Sequence, residues 1–161
     1  MTTSYHTSID IDAEARNRLN VLLNSQLADT FDLFSQTKQA HWNVKGMHFI
    51  QLHELFDKLA EDLEEHTDTI AERVTALGGT AQGTTRMAAG ASRLPEIPLE
   101  LGGGQTTVKL LVERYAKLGQ STRRAIDEAD KLGDADTADL FTAVSRDLDK
   151  ALWFLEAHLQ D

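Results

Sequence analysis

The stretch HWNVKGMHFIQLHELFDKLAEDLEEHTDTIAERVTALGG, residues 41–79, decides the fold. It contains no proline, and Leu52, Phe56, Leu59, Leu63, Ile70 and Val74 recur at helical spacing. The pattern predicts one amphipathic helix from about Met47 to Leu77. Gly46 turns the chain before it, and Gly78-Gly79 stops it, glycine being the residue that takes the left-handed conformation past a helix end. On the same helix His53 and Asp57 are four apart, as are Asp68 and Glu72, so each pair lies on one face. Either pair alone reads equally well as a solvated helix face.

Working outward, a first helix is expected from about Asp12 to Asn43, with Leu19, Leu23, Leu27, Phe31 and Phe34 on its core face. A third runs from about Gln105 to Lys131 through Val108, Val112, Tyr115, Leu118, Thr122, Ile126 and Ala129. A fourth starts near Asp134, a good N-cap residue, and reaches about Leu159 through Phe141, Val144, Leu148, Leu152 and Leu155. Short turns join the first pair and the last pair, so each pair is antiparallel. Residues 78–104 hold both prolines and most of the clustered glycines, and form a long crossover. TTRMAAGA within it is expected to form a short extra helix. Four long helices with one long crossover describe an all-α, ferritin-like four-helix bundle. Residues 1–11 are expected to be a short flexible tail and residues 12–159 one domain.

The chain has 161 residues, no cysteine and a formal net charge of −10. Disulfides, thiolate metal sites and cysteine nucleophiles are thereby excluded. An acidic surface repels nucleic acid. No apolar run approaches the length of a membrane span, and MTTSYHTSIDID lacks a basic start followed by an apolar stretch, so a cytoplasmic location is expected.

His53, Asp57, Asp68 and Glu72 fall within a sector roughly 100° wide, centred roughly 150° from the apolar stripe. Ala60, Glu61, Glu64 and Ala71 share it. These side chains therefore point away from the bundle core. In-bundle di-iron sites use an inward Glu-x-x-His pair, whereas Lys38, Ile50 and Leu63 stand three residues before His41, His53 and His66. His53 and Asp68 lie roughly 22 Å apart along a helix. One chain cannot bring both pairs to one metal, but two copies of the helix packed antiparallel about a two-fold axis can. His41 continues the inward stripe of the first helix and arrives near His53 across the tight turn. Two imidazoles and several carboxylates suit iron, and equally zinc, cobalt or manganese.

TKQAHWNVKGMHFIQLHELFDKL, HTDTIAERVTALGG and DTADLFTAVSRDLDKALWFLEAHL together resemble the Dps family, the mini-ferritins also called DNA-binding proteins from starved cells. The resemblance spans about Leu19 to Leu159 and rests chiefly on the H-x11-H-x3-D spacing followed by D-x3-E. It implies a hollow dodecamer whose two-fold interfaces hold a ferroxidase site. The implied ligands are His41, His53 and Asp57 from one subunit and Asp68 and Glu72 from its neighbour. Trp42 matches the tryptophan beside that site. The implied activity is oxidation of Fe(II) by hydrogen peroxide or O2, with storage of ferric mineral. It also implies iron pores lined by acids near the start of the fourth helix, here Asp136 and Asp139 with Asp130 and Asp134 behind them, and Glu54, Glu61 and Glu64 as mineral-nucleating acids. Several members compact nucleoid DNA through a lysine-rich N-terminal tail, the alternative function. This sequence has no lysine before Lys38, so DNA binding is expected to be weak or absent. His6, His48 and His158 carry no assigned role, and His66 is expected to be a packed histidine.

Overall fold

Asp12 starts the first helix: its carboxylate accepts from the Ala15 amide at 3.0 Å, satisfying one of the amides that a helix start leaves unpaired. The computed structural model describes residues 5–160, which form α1 (Ala13–Asn43), α2 (Phe49–Ala76), α3 (Thr85–Ala91), α4 (Gly104–Lys131) and α5 (Ala135–Ala157). No strand occurs among the described residues. α1 packs along α2 and α4 along α5; α1 also meets α4, α2 meets α5, and the short α3 lies against α1. This is the expected four-helix bundle, with the extra helix in the crossover.

Glycine ends two of the long helices. Gly78 has φ +79°, and the amides of Gly78 and Gly79 return to Thr75 O and Val74 O, which closes α2 with a Schellman motif. Gly133 repeats this at the end of α4: its φ is +79°, its amide meets Asp130 O, and the Asp134 amide meets Ala129 O. Asp134 thus closes α4 with its backbone and caps α5 with its side chain, which accepts from Thr137 N at 3.1 Å.

The core lies along the bundle axis in two apolar clusters. One contains Leu33, Leu52, Phe56, Leu63, Val108, Leu111, Leu118, Val144, Leu148 and Leu155; the other contains Leu19, Leu23, Leu27, Ile70, Val74 and Phe141. Phe31 and Phe34 were expected in the core and are only half-buried. Each i+4 step advances about 40° beyond a full turn, so the series Leu19, Leu23, Leu27 rotates off the core face by Phe31. Leu33, Thr37 and Ala40 take over the stripe. Ala60, grouped with the outward sector of α2, is buried.

Polar clamps fix the connections. Buried Asp29 on α1 accepts from the Arg93 amide at 2.7 Å and from its guanidinium at 2.6 and 2.9 Å, which anchors the chain just after α3. Arg114 on α4 reaches Gln36 Oε1 at 2.7 Å and Glu96 O at 2.6 Å, tying the crossover to α1. Arg73 near the end of α2 grips both Asp134 oxygens, at 2.7 and 2.9 Å.

Two expectations change. Of the tail expected to be flexible, residues 1–4 lie outside the described residues. Residues 5–11 are held: Tyr5 N donates to Gly78 O at 2.8 Å, and Ile9 and Ile11 pack on the second cluster. Asp134, named as a pore-lining acid, is 2% exposed and saturated by Arg73, Thr137 and its own cap, so its carboxylate is not free to face a channel.

Burial pushes the Asp134 carboxyl up, but the bonds from Arg73 and from the Thr137 side chain and backbone outweigh it and hold the group below its ordinary value. Asp134→Ala is expected to cost about 3 kcal/mol, since it uncaps α5 and strands Arg73. A carboxyl depressed in the folded state contributes stability above its unfolded pKa of about 4 and loses that contribution as pH falls through the folded value. Thermal melts at fixed protein concentration should therefore show a gap between wild type and variant at pH 7 that narrows below about pH 4. A gap that stays constant would contradict the assignment.

Candidate metal centre

The last carbonyls of α1 have no helical amide to receive. Ala40 O is met by Val44 N at 2.9 Å, and His41 O is met by the His53 ring, whose Nδ1 donates at 2.9 Å. The bond is reciprocated: His41 Nδ1 donates to His53 O at 2.7 Å. The two imidazoles stack, with centroids 3.8 Å apart and planes 20° from parallel. The turn between them allows this contact, since Gly46 at φ +116° reverses the chain and Phe49 N closes on Gly46 O at 3.1 Å. That turn delays α2 to Phe49, two residues later than the periodicity suggested.

These two bonds fix the chemistry of the rings. A carbonyl oxygen only accepts, so each Nδ1 carries the hydrogen. In the neutral ring Nε2 then holds a lone pair. This is the orientation of a metal-ligating histidine whose other nitrogen is anchored to backbone. Asp57, one turn beyond His53, brings Oδ1 to 3.8 Å from His41 Nε2. The bond from Lys38 Nζ, at 2.6 Å, holds the Asp57 carboxyl below its ordinary value; partial burial opposes this, and His41 and His53 add to the lowering. His41 is buried, His53 and Asp57 are half-buried, and the set opens at the surface.

His41, His53 and Asp57 are thus brought together as the spacing suggested. Asp68 and Glu72 are not brought to them. Both are exposed farther along α2, and neither carboxylate is in an ion pair among the described residues. Among the described residues no three His, Cys, Asp or Glu side chains converge tightly enough to hold a metal ion. Trp42 is 65% exposed beside the histidines, and Met47, Phe49 and Ile50 are exposed on the same turn. Phe49 packs its ring 5.1 Å from that of His53, and exposed apolar side chains lying together are a feature of interaction surfaces.

Asp130, Asp136 and Asp139 are exposed around the start of α5, as are Glu54, Glu61 and Glu64 on α2. His66 is packed, with Nε2 3.2 Å from Asp147 Oδ2. His6, His48 and His158 are exposed. Two features escaped the sequence reading. One is Lys38, which the i, i+3 spacing to His41 could have flagged. The other is the apolar rim of Met47, Phe49 and Ile50, whose exposure no sequence pattern distinguishes from burial.

Fold and site together define a ferritin-like helical bundle that carries a two-histidine, one-carboxylate cluster on its surface. Comparison with known proteins places it further. The ferritin-like domain family matches residues 20–161. The DNA protection during starvation protein of Agrobacterium fabrum is 46% identical over 158 residues, 98% of each chain. The protein of that name from Brevibacillus brevis is 36% identical over 87% of this chain and 93% of its own. Among solved structures, DpsC from Streptomyces coelicolor superposes with a TM-score of 0.94 at 32% identity, covering 99% of this chain and 93% of its own. The Dps protein of Vibrio cholerae, described as a member of the ferritin-like diiron-carboxylate superfamily, gives 0.90 at 27% identity over 96% of each chain. The chain belongs to the Dps family of ferritin-like proteins. No helix among the described residues is long and apolar enough to cross a membrane.

The tautomers are directly measurable. With nitrogen-labelled histidine, His41 and His53 should both be protonated at Nδ1 and bare at Nε2 in the metal-free protein near pH 8. A proton on either Nε2 would show that the ring is not poised as a ligand.

Proposed function

We propose that the protein is an iron-storage and detoxification mini-ferritin, a ferroxidase whose site is completed between two copies of the chain. The observation that carries this is the pair of Nδ1-anchored imidazoles presenting Nε2 beside Asp57 on an open surface. In this reading His41, His53 and Asp57 of one copy meet Asp68 and Glu72 of a second, the α2 helices packing antiparallel about a two-fold axis. The spacing along α2 supports it, since roughly 22 Å of helix separates the two pairs in one chain. Exposed Trp42, Met47, Phe49 and Ile50 would be covered by the second copy.

Fe(II) is the substrate. Two Fe(II) ions each give up one electron, and one hydrogen peroxide with two protons becomes two waters; O2 is the alternative oxidant. Consuming peroxide this way avoids hydroxyl radical. Trp42 stands where it can take up stray oxidising equivalents. The ferric product is stored as mineral inside a hollow dodecamer. Asp136, Asp139 and Asp130 guide Fe(II) inward, and Glu54, Glu61 and Glu64 nucleate mineral. Zinc, cobalt and manganese compete for the same donors. A net charge of −10 and the absence of lysine before Lys38 support weak DNA binding, against a nucleoid-compacting role.

Asp68→Ala and Glu72→Ala should each slow Fe(II) oxidation by peroxide about tenfold or more, as much as Asp57→Ala does. The rate is read from the ferric absorbance after anaerobic Fe(II) loading. Native rates in either variant would overturn the shared site.

A further inference from the structure

His66 stands on α2 against α5, and 15% of its side chain is exposed. Its Nε2 lies 3.2 Å from Asp147 Oδ2, yet the two are not aligned as a hydrogen bond, so Nε2 is buried without a partner. A buried polar nitrogen left in this way costs free energy unless something fills the place. Asp62, one turn before His66 on the same face of α2, lines the same small cavity as His66 and Asp147. That cavity measures about 10 Å³, the space of a single water or ion, and Leu63, Leu148 and Tyr115 also line it. A wider groove of about 190 Å³ lies between α2 and α5 and is likewise bordered by Asp62 and Asp147.

Donors that share one metal ion show this relation: close together, but not pointed at each other. With bonds of about 2.1 Å and tetrahedral or octahedral angles, two such donors lie about 3.0–3.4 Å apart. A water in the cavity would satisfy Nε2 alone. A divalent cation would satisfy Nε2 and also offset the charges of Asp147 and Asp62. Asp62 is bonded to Lys58 Nζ at 2.7 Å, but the same ammonium lies 3.7 Å from Glu61 Oε2 and keeps that partner when Asp62 turns away. The third donor therefore arrives by a side-chain rotation, and only two of the three stand at ligand spacing beforehand.

We propose that His66, Asp147 and Asp62 form a second divalent-metal site, separate from His41, His53 and Asp57, which takes a first-row transition ion of the zinc class and ties the middle of α2 to α5. His66 and Asp68 are two apart on α2 and face different ways, which separates this site from the pair assigned to the shared centre. One imidazole with two carboxylates favours Zn(II), Co(II) or Mn(II) over Mg(II) and Ca(II), which prefer oxygen donors. Arg73 clamps α2 to α5 through Asp134 near one end of α2, and an ion at His66 would brace the two helices nearer their middle. The site stands whether or not the shared centre does.

The test is Zn(II) titration by calorimetry of the assembled protein in an Asp57→Ala/Asp68→Ala background, which disables the shared centre. The background should bind about one further Zn(II) per chain, and that binding should weaken about tenfold or more in His66→Gln and in Asp147→Asn. Asp62→Asn should weaken it less, and Asp149→Asn, a neighbouring acid on α5, should leave it unchanged. Saturating Zn(II) should raise the melting temperature of the background and not of Asp147→Asn, whose exposed position keeps the fold intact. In the wild-type protein with nitrogen-labelled histidine, the His66 Nε2 resonance should move on Zn(II) addition. Zn(II) binding that survives both His66→Gln and Asp147→Asn, an unmoved His66 Nε2 resonance, or no Zn(II) bound by the background would overturn the inference and leave the shared centre untouched.

Discussion

The exchange of hydrogen bonds between His41 and His53 is the interaction on which the α1–α2 joint, and with it the proposed function, depends. The end of α1 leaves the carbonyl of His41 without a helical amide. The ring of His53 fills that vacancy at 2.9 Å, and the ring of His41 returns the bond at 2.7 Å. One arrangement thereby closes a helix end, locks the α1–α2 angle, selects both tautomers and aims two lone pairs outward. Replacing either imidazole reopens the joint and, on the proposed function, also removes a ligand.

The rest of the bundle holds that joint in register. Schellman closures at Gly78 and Gly133 fix where α2 and α4 end, and Asp134 makes the end of α4 the start of α5. Arg73, Arg93 and Arg114 clamp the connections to the helices they cross. Breaking a buried clamp costs more than the clamp contributes over an apolar replacement, because the remaining partner is stranded. Such pairs therefore fix the geometry of the fold more than they add to its stability.

Much of this was legible in the sequence because helix periodicity, glycine stops and an aspartate cap are local signals. Helix boundaries agree within about two residues, a normal fraying margin. The misplacement of Phe31 and Phe34 came from extending a run of i+4 steps beyond the point where the helix rotates away. The description of residues 5–11 as a flexible tail failed because nothing local in TSIDI announces that Ile9 and Ile11 meet a cluster built by α1, α2, α4 and α5. Asp134 was legible as a cap; its burial by Arg73, sixty-one residues earlier, was not. At the site, spacing identified His41, His53 and Asp57 as neighbours, and rise per residue separated them from Asp68 and Glu72. The ammonium on Asp57 is a tertiary detail that spacing allows without requiring.

The central claim is that each site draws ligands from two chains, and mixing two impaired variants tests it most directly. In an assembly co-formed from His53→Ala and Asp68→Ala chains, a mixed two-fold pair contains one doubly damaged site and one fully native site. Random pairing should then restore Fe(II) oxidation to roughly a quarter of the native sites, above the slowed rate expected of either variant alone. No recovery in the mixed assembly would mean that the ligands do not come from two chains, and would contradict the account.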